Sequence, residues 1–325
     1  MNNISNYTQK MIQKITIATL LTSLVGSAAF APPSAFSAKD DKSHSATPSA
    51  YVNNYKADGE VLIQNGLTYA TLTDMSHLGN YKFSFNNEKK EITVRNENDT
   101  YVLKVGQKLA SKNGETQSLS ATPIIHNNKT LVPLRALGEL FQARVQWNQS
   151  TKTAYILKAD QVILEKLSSA DLSTKRNAAV NLPRYSPLKE HELEHLEQLG
   201  DSNYSKTYYF EKGKSDSFFE KDFRDLISYY EIENNMAVLK WQANLDSQKQ
   251  ETHSDLFFIS NPVLNEIGAR PAVENWIVAE FYYVLMSDST NYSLRDKNKI
   301  YIEPTTVILE NYKIENVIVP IPDEK

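Results

Sequence analysis

An internal repeat constrains this chain more than any other feature. Residues 61–94, VLIQNGLTYATLTDMSHLGNYKFSFNNEKKEITV, align without a gap on residues 123–156, PIIHNNKTLVPLRALGELFQARVQWNQSTKTAYI. Identities fall at Ile63/Ile125, Asn65/Asn127, Thr68/Thr130, Leu72/Leu134, Leu78/Leu140, Asn86/Asn148 and Lys90/Lys152. Each copy reads as turn, short strand, helix and hairpin. In the second copy, Asn127-Asn128 supplies a turn that tolerates positive φ and Pro133 pre-sets φ at a helix opening. Leu134, Leu137 and Leu140/Phe141 then recur at helical spacing, making an apolar stripe that must be buried. Val145 and Trp147 share one strand face and Ala154 and Ile156 the next, as Phe83/Phe85 and Ile92/Val94 do in the first copy. The expectation for residues 58–158 is a twisted antiparallel sheet wrapped around a helix, built from two half-repeats.

Val105-Gly106, Asn113-Gly114, Pro123, Asn127, Thr130, the Val132-Pro133-Leu134-Arg135 block, Ala143, Trp147 and Thr151/Thr153 follow one another in a fixed order. That order resembles the bacterial copper amine oxidase N-terminal-like domain, over roughly residues 58–158. Asn128, Gln142 and Asn148 depart from that family's turn glycine, helix-ending glycine and aspartate. All three departures bear on turns. The resemblance implies a stalk or adhesion-type module on exported proteins, lacking the copper and quinone site. The residues agree with that implication. Amine oxidase chemistry needs Asn-Tyr-Asp/Glu and three copper-binding histidines, whereas Asn-Tyr is followed here by, for example, Thr8, Lys56, Ser205, Ser293 and Lys313. The chain has six histidines, and none forms His-x-His.

Lys10 and Lys14 precede the apolar run Ile15–Ala31, the layout of a secretory signal peptide, expected over residues 1–37. Cleavage would follow Ala31 or fall near Ala35-Phe36-Ser37; an uncleaved anchor is the alternative. Residues 38–57 are small, polar and unpatterned and read as a flexible leader. With no cysteine, disulfide staples, thiolate metal sites and a lipoprotein anchor are excluded. A net charge of −4 offers no basic field for nucleic acid. The expected location is secreted or on the cell surface of a Gram-positive bacterium. The expected partner is a cell-wall polymer, a surface protein or a peptide, with no nucleic acid and no membrane span after signal removal.

Residues 159–325 read as a second α+β domain, helices followed by a curved antiparallel sheet. VILEKLSSADLSTKRNAAVNL is helical in part. Ser186-Pro187 then reads as a cap and helix-opening proline for LKEHELEHLEQL, ending at Gly200. A third helix is expected over 217–231, where Phe219, Phe223, Leu226, Ile227 and Tyr230 form a stripe. The strands are MAVLKWQANL, with Lys240 and Gln242 on a wet face, ENWIVAEFYYVLM as a central strand, KIYIEPTTVILE and YKIENVIVP.

The second domain also contains His191-Glu192-Leu193-Glu194-His195, an H-E-x-x-H motif. On a helix this spacing sets two imidazoles one turn apart beside a carboxylate, the arrangement by which zinc activates water. A third ligand would have to come from His253 or Glu280. Charges at Lys189, Glu190 and Glu194 favour a solvated surface helix instead. The expectation is therefore no catalytic residue, cofactor or metal, with Glu192 and Glu280 as the catalytic candidates and His191 and His195 as the candidate ligands of zinc. The function expected is a non-catalytic cell-envelope or extracellular protein whose stalk presents a C-terminal binding domain. A secreted zinc-dependent hydrolase is the alternative. Trp241 and Trp276 are candidates for stacking against sugars.

Overall fold

The computed structural model describes residues 47–193, 205–250, 256–284, 287–309, 317–322 and 324. The signal-peptide region, His195 and His253 lie outside the described residues.

The repeat folds as the alignment requires. In the first copy β3 (Leu62–Gln64), β4 (Leu67–Thr71), a 3-10 helix (Leu72–Leu78), β5 (Lys82–Asn86) and β6 (Glu91–Arg95) follow in order. The second copy gives β10 (Ile124–His126), β11 (Lys129–Pro133), α1 (Leu134–Phe141), β12 (Arg144–Asn148) and β13 (Thr153–Leu157). The shared residues have a backbone cause: Asn65/Asn127 and Lys90/Lys152 all hold positive φ, between 45 and 55°. Asparagine tolerates this region well. Between the copies run β7 (Thr100–Lys104), β8 (Leu109–Lys112) and β9 (Glu115–Ser118), which extend β5–β6 into a five-stranded antiparallel meander.

β1 (Ser49–Val52) and β2 (Tyr55–Lys56) correct the expected leader: residues 49–56 are structured, and β1 pairs in parallel with β13. Their alternation is the reason. Ala50 and Val52 are fully buried in the domain's core. Three sheets, in the orders β12-β13-β1-β2, β10-β11-β4-β3 and β5-β6-β7-β8-β9, enclose Leu134, Leu137, Leu140 and Phe141 of α1 and Met75 and Leu78 of the 3-10 helix. Gln142, in place of a helix-ending glycine, still takes the left-handed conformation at φ 55°, and the Ala143 amide donates to Gly138 O at 2.9 Å.

The second domain opens with α2 (Gln161–Leu167) and α3 (Leu172–Val180), capped by Asp160 and Asp171. Then follow β14 (Arg184–Tyr185), β15 (Lys206–Glu211), β16 (Ser217–Asp222), β17 (Leu226–Glu233), β18 (Met236–Leu245), β19 (Val263–Gly268), β20 (Val278–Val284), β21 (Ser289–Arg295) and β22 (Ile300–Ile308). They form one sheet in the order β14-β18-β17-β16-β15-β20-β21-β22, with β19 also on β18. The strand expected over 274–286 is central, as its two-sided apolar sequence requires.

Three expectations are corrected here. Residues 217–231 form the β16–β17 hairpin and no helix, turning at Asp225 with φ 58°. Residues 187–193 are not helical either. Their backbone groups are taken by side chains: Ser186 O and Leu188 O accept from Asn148 Nδ2, and the Leu193 amide donates to Gln242 Oε1 at 2.6 Å. Residues 317–320 of the expected last strand carry no strand either. Instead Val317, Ile318 and Ile321 bury against Ala179 and Val180 of α3 and the sheet beneath.

Both faces of this sheet are covered. Phe210, Phe218, Tyr230, Leu239 and Phe281 pack toward α3, while Tyr209, Phe219, Tyr229, Trp241 and Ala243 pack toward Leu256, Phe258 and Val273. A bulge at Lys240 sets Tyr229 opposite Trp241 and Tyr230 opposite Leu239, moving Trp241 to the other face from Leu239. Gln242 is thereby buried, where sequence alternation makes it wet. No described helix is long and apolar enough to cross a membrane.

Candidate functional site at the domain seam

Strand β13 is buried along its whole length because its two faces serve different cores. Ala154 and Ile156 face α1. Tyr155 and Leu157 turn the other way and pack with Tyr51 on Tyr185, Met236 and Val238 of the second domain. Tyr155 stacks on Tyr51 at 5.3 Å between centroids and meets the Tyr185 ring edge-on at 5.1 Å. Asn148 completes the seam. Its Oδ1 accepts from the Ser150 and Thr151 amides of its own turn, while its Nδ2 donates to Ser186 O at 3.1 Å and Leu188 O at 2.6 Å. Arg184 N also donates to Asn54 Oδ1 at 2.8 Å.

Beside this seam lies a cleft of about 510 Å3, lined by Ser49, Tyr51, Lys56, Thr153, His191 and Glu192 among others. A smaller space of about 150 Å3 adjoins it, bounded by Tyr51, Tyr155, Arg184, Tyr185, Glu192 and Tyr230. The protein crowding Glu192 raises its carboxyl above the ordinary range, against the pull of Arg184 and Lys56. The side chain nonetheless stays open to water in the cleft. Tyr155 is pushed up strongly, first by burial and then by Glu192.

His191 and Glu192 thus share the cleft, but on an extended segment, where i to i+4 spacing does not align two imidazoles. Among the described residues no three histidine or carboxylate groups stand close enough to hold a metal ion. Glu280 lies elsewhere, in β20, where its Oε2 accepts from Arg295 Nη2 at 2.9 Å and from Ser293 Oγ at 3.3 Å. It is a cross-strand ion pair. Trp241 is fully buried and donates to Glu266 Oε2 at 2.6 Å, and Trp276 packs on Phe219 and Tyr229. The stacking surface expected from these two indoles is corrected to core.

Sequence reasoning missed the charged cluster behind the seam. Arg184 grips Glu220 with two nitrogens, Nη1 to Oε1 at 3.1 Å and Nη2 to Oε2 at 2.5 Å, and Lys206 Nζ adds a third bond at 2.8 Å. The three residues lie on three different strands, so only the pairing of those strands brings them together. What this seam can do is hold two domains in one fixed relation and present a hydroxyl-lined cleft to polar groups.

Residues 51–156 match the family model of the copper amine oxidase N-terminal domain. The match starts within β1, in agreement with the pairing of that strand and β13. Copper amine oxidase N-terminal domains are a non-catalytic, stalk-type family. Neither the curated proteins nor the solved structures gave a match to this chain.

Proposed function

We propose that this chain is an exported, non-catalytic protein of the cell envelope or extracellular space, in which the copper amine oxidase N-terminal-like domain is a stalk that presents the second domain to a cell-wall polymer, a surface protein or a peptide. The observation that carries this reading is the seam. A family of stalk type is joined here to its neighbour by a shared tyrosine-rich core and by the Asn148 tether rather than by a loose linker. A rigid joint is what presentation at a fixed distance and angle requires, since a flexible linker would average the orientation away. Support for export comes from the Lys10/Lys14 and Ile15–Ala31 pattern, and retention needs no thiol chemistry because cysteine is absent.

The hydrolase alternative draws no support from residues 187–193, whose extended course leaves the motif without its helix. The test is retention of the full chain on purified Gram-positive cell walls, together with fractionation of the producing cell. The reading expects the protein outside the membrane and held by walls or surface extracts. Recovery in the cytoplasm, or free passage over both walls and extracts, overturns it.

A further inference from the structure

The first domain carries an open groove that the stalk role does not use. It has a volume of about 590 Å3 and runs between the β3–β4 hairpin and the β12–β13 hairpin. Leu134 and Val145 line it beside Ile63, Leu67 and Trp147. Trp147 is 36% exposed and Ile63 39%, although both belong to strands whose alternation marks them for the interior. The cause is topology. β12 and β3 are each the edge strand of their sheets, so nothing follows to cover these side chains. Trp147 is held in place nevertheless: its Nε1 donates to Gln149 Oε1 at 2.8 Å, which fixes the plane of the indole.

The polar rim has one sign. Arg135, Lys152, Gln146 and Gln149 line the groove and no carboxylate does. Neither Arg135 nor Lys152 has a salt bridge among the described residues, whereas most cations on this domain's meander, such as Lys104 and Lys112, are paired. A fixed indole face with amide groups, one guanidinium and one ammonium beside it matches a sugar ring that stacks its C–H face, bonds its hydroxyls to amides and offers a carboxylate to the arginine fork. A peptide adding as a strand would need a long edge, and β3 offers three residues. We propose that this groove binds an acidic polysaccharide, with Trp147 as stacking platform and Arg135 and Lys152 as carboxylate contacts. This places a ligand site on the stalk itself, separate from the presented domain.

The experiment is calorimetric titration of the full chain with tetragalacturonate, with uncharged cellotetraose as comparison. The expected result is binding of the acidic sugar with Kd below about 1 mM, weakening with salt. Trp147→Ala weakens it at least about tenfold, Trp147→Phe restores most of it, and Arg135→Gln with Lys152→Gln removes the preference over cellotetraose. Thermal unfolding of each variant checks that the fold is kept. No binding up to about 10 mM, equal binding by Trp147→Ala, or equal binding of the neutral sugar each overturn the proposal. Wall retention that survives Trp147→Ala leaves the presentation role standing while this site falls; loss of wall retention with sugar binding intact does the reverse.

Discussion

Glu220 shows how much a single buried carboxylate can hold. Burial alone would push it up, but Arg184 and Lys206 outweigh that and bring it down to about 2 from an ordinary 4.5. Because the folded value lies below the unfolded one, the stabilisation is present above pH 4.5 and is lost as pH falls toward 2. Its size is about 3 kcal/mol, an order-of-magnitude figure for a coupled group. Acid unfolding of the wild type should therefore steepen within that window. Glu220→Gln should flatten the pH dependence there and cost about 3–5 kcal/mol at neutral pH, because two cations are left facing a neutral amide. Denaturant titrations at several pH values measure both, and an unchanged acid limb in the variant would remove Glu220 from this role. None of this was legible locally, since FFEKD reads the same whether or not Arg184 lies across the sheet.

At the scale of elements, legibility depended on whether a strand has one wet face. The repeat hairpins β5–β6 and β12–β13 do, their alternation was plain, and their faces were read correctly at Ala154/Ile156 and Ile92/Val94. The β16–β17 hairpin is buried on both sides, with Phe218 and Phe219 facing opposite cores. Its apolar residues run on without a period of two, and the spacing of Phe219, Phe223 and Ile227 imitates a helix. The aromatic pairs were the available strand signal. Gly268 marks the next element-level constraint. It holds φ +80°, and a Cβ there would sit 2.2 Å from Lys240 O, at the bulge that redirects Trp241. Gly268→Ala should cost more than about 2 kcal/mol, whereas Gly213→Ala, at φ +74° with open space around it, should cost about 1 kcal/mol. Equal losses in equilibrium unfolding would mean that the β18–β19 approach does not matter.

For the molecule as a whole, the two domains were visible in the sequence and their joining was not. The reason lies in residues such as Asn148, which reads as one more turn residue departing from the family's aspartate. Its counterpart Asn86 is that alone: exposed, with Oδ1 accepting from the Glu88 and Lys89 amides at 3.0 Å each. Asn148 performs the same turn duty and adds two donated bonds to Ser186 and Leu188, which an aspartate cannot make. The pair is therefore an internal control. Asn86→Asp should change stability by less than about 0.5 kcal/mol. Asn148→Asp keeps the turn but sets a carboxylate against two carbonyls and should cost roughly 2 kcal/mol or more. Because Ser45–Lys325 form one compact unit, the wild type should melt in a single cooperative transition, and Asn148→Asp should lower that transition by weakening the seam. Two separate transitions in the wild type, or equal effects of the two substitutions, would mean that the domains are merely adjacent and that the stalk does not fix the position of its neighbour.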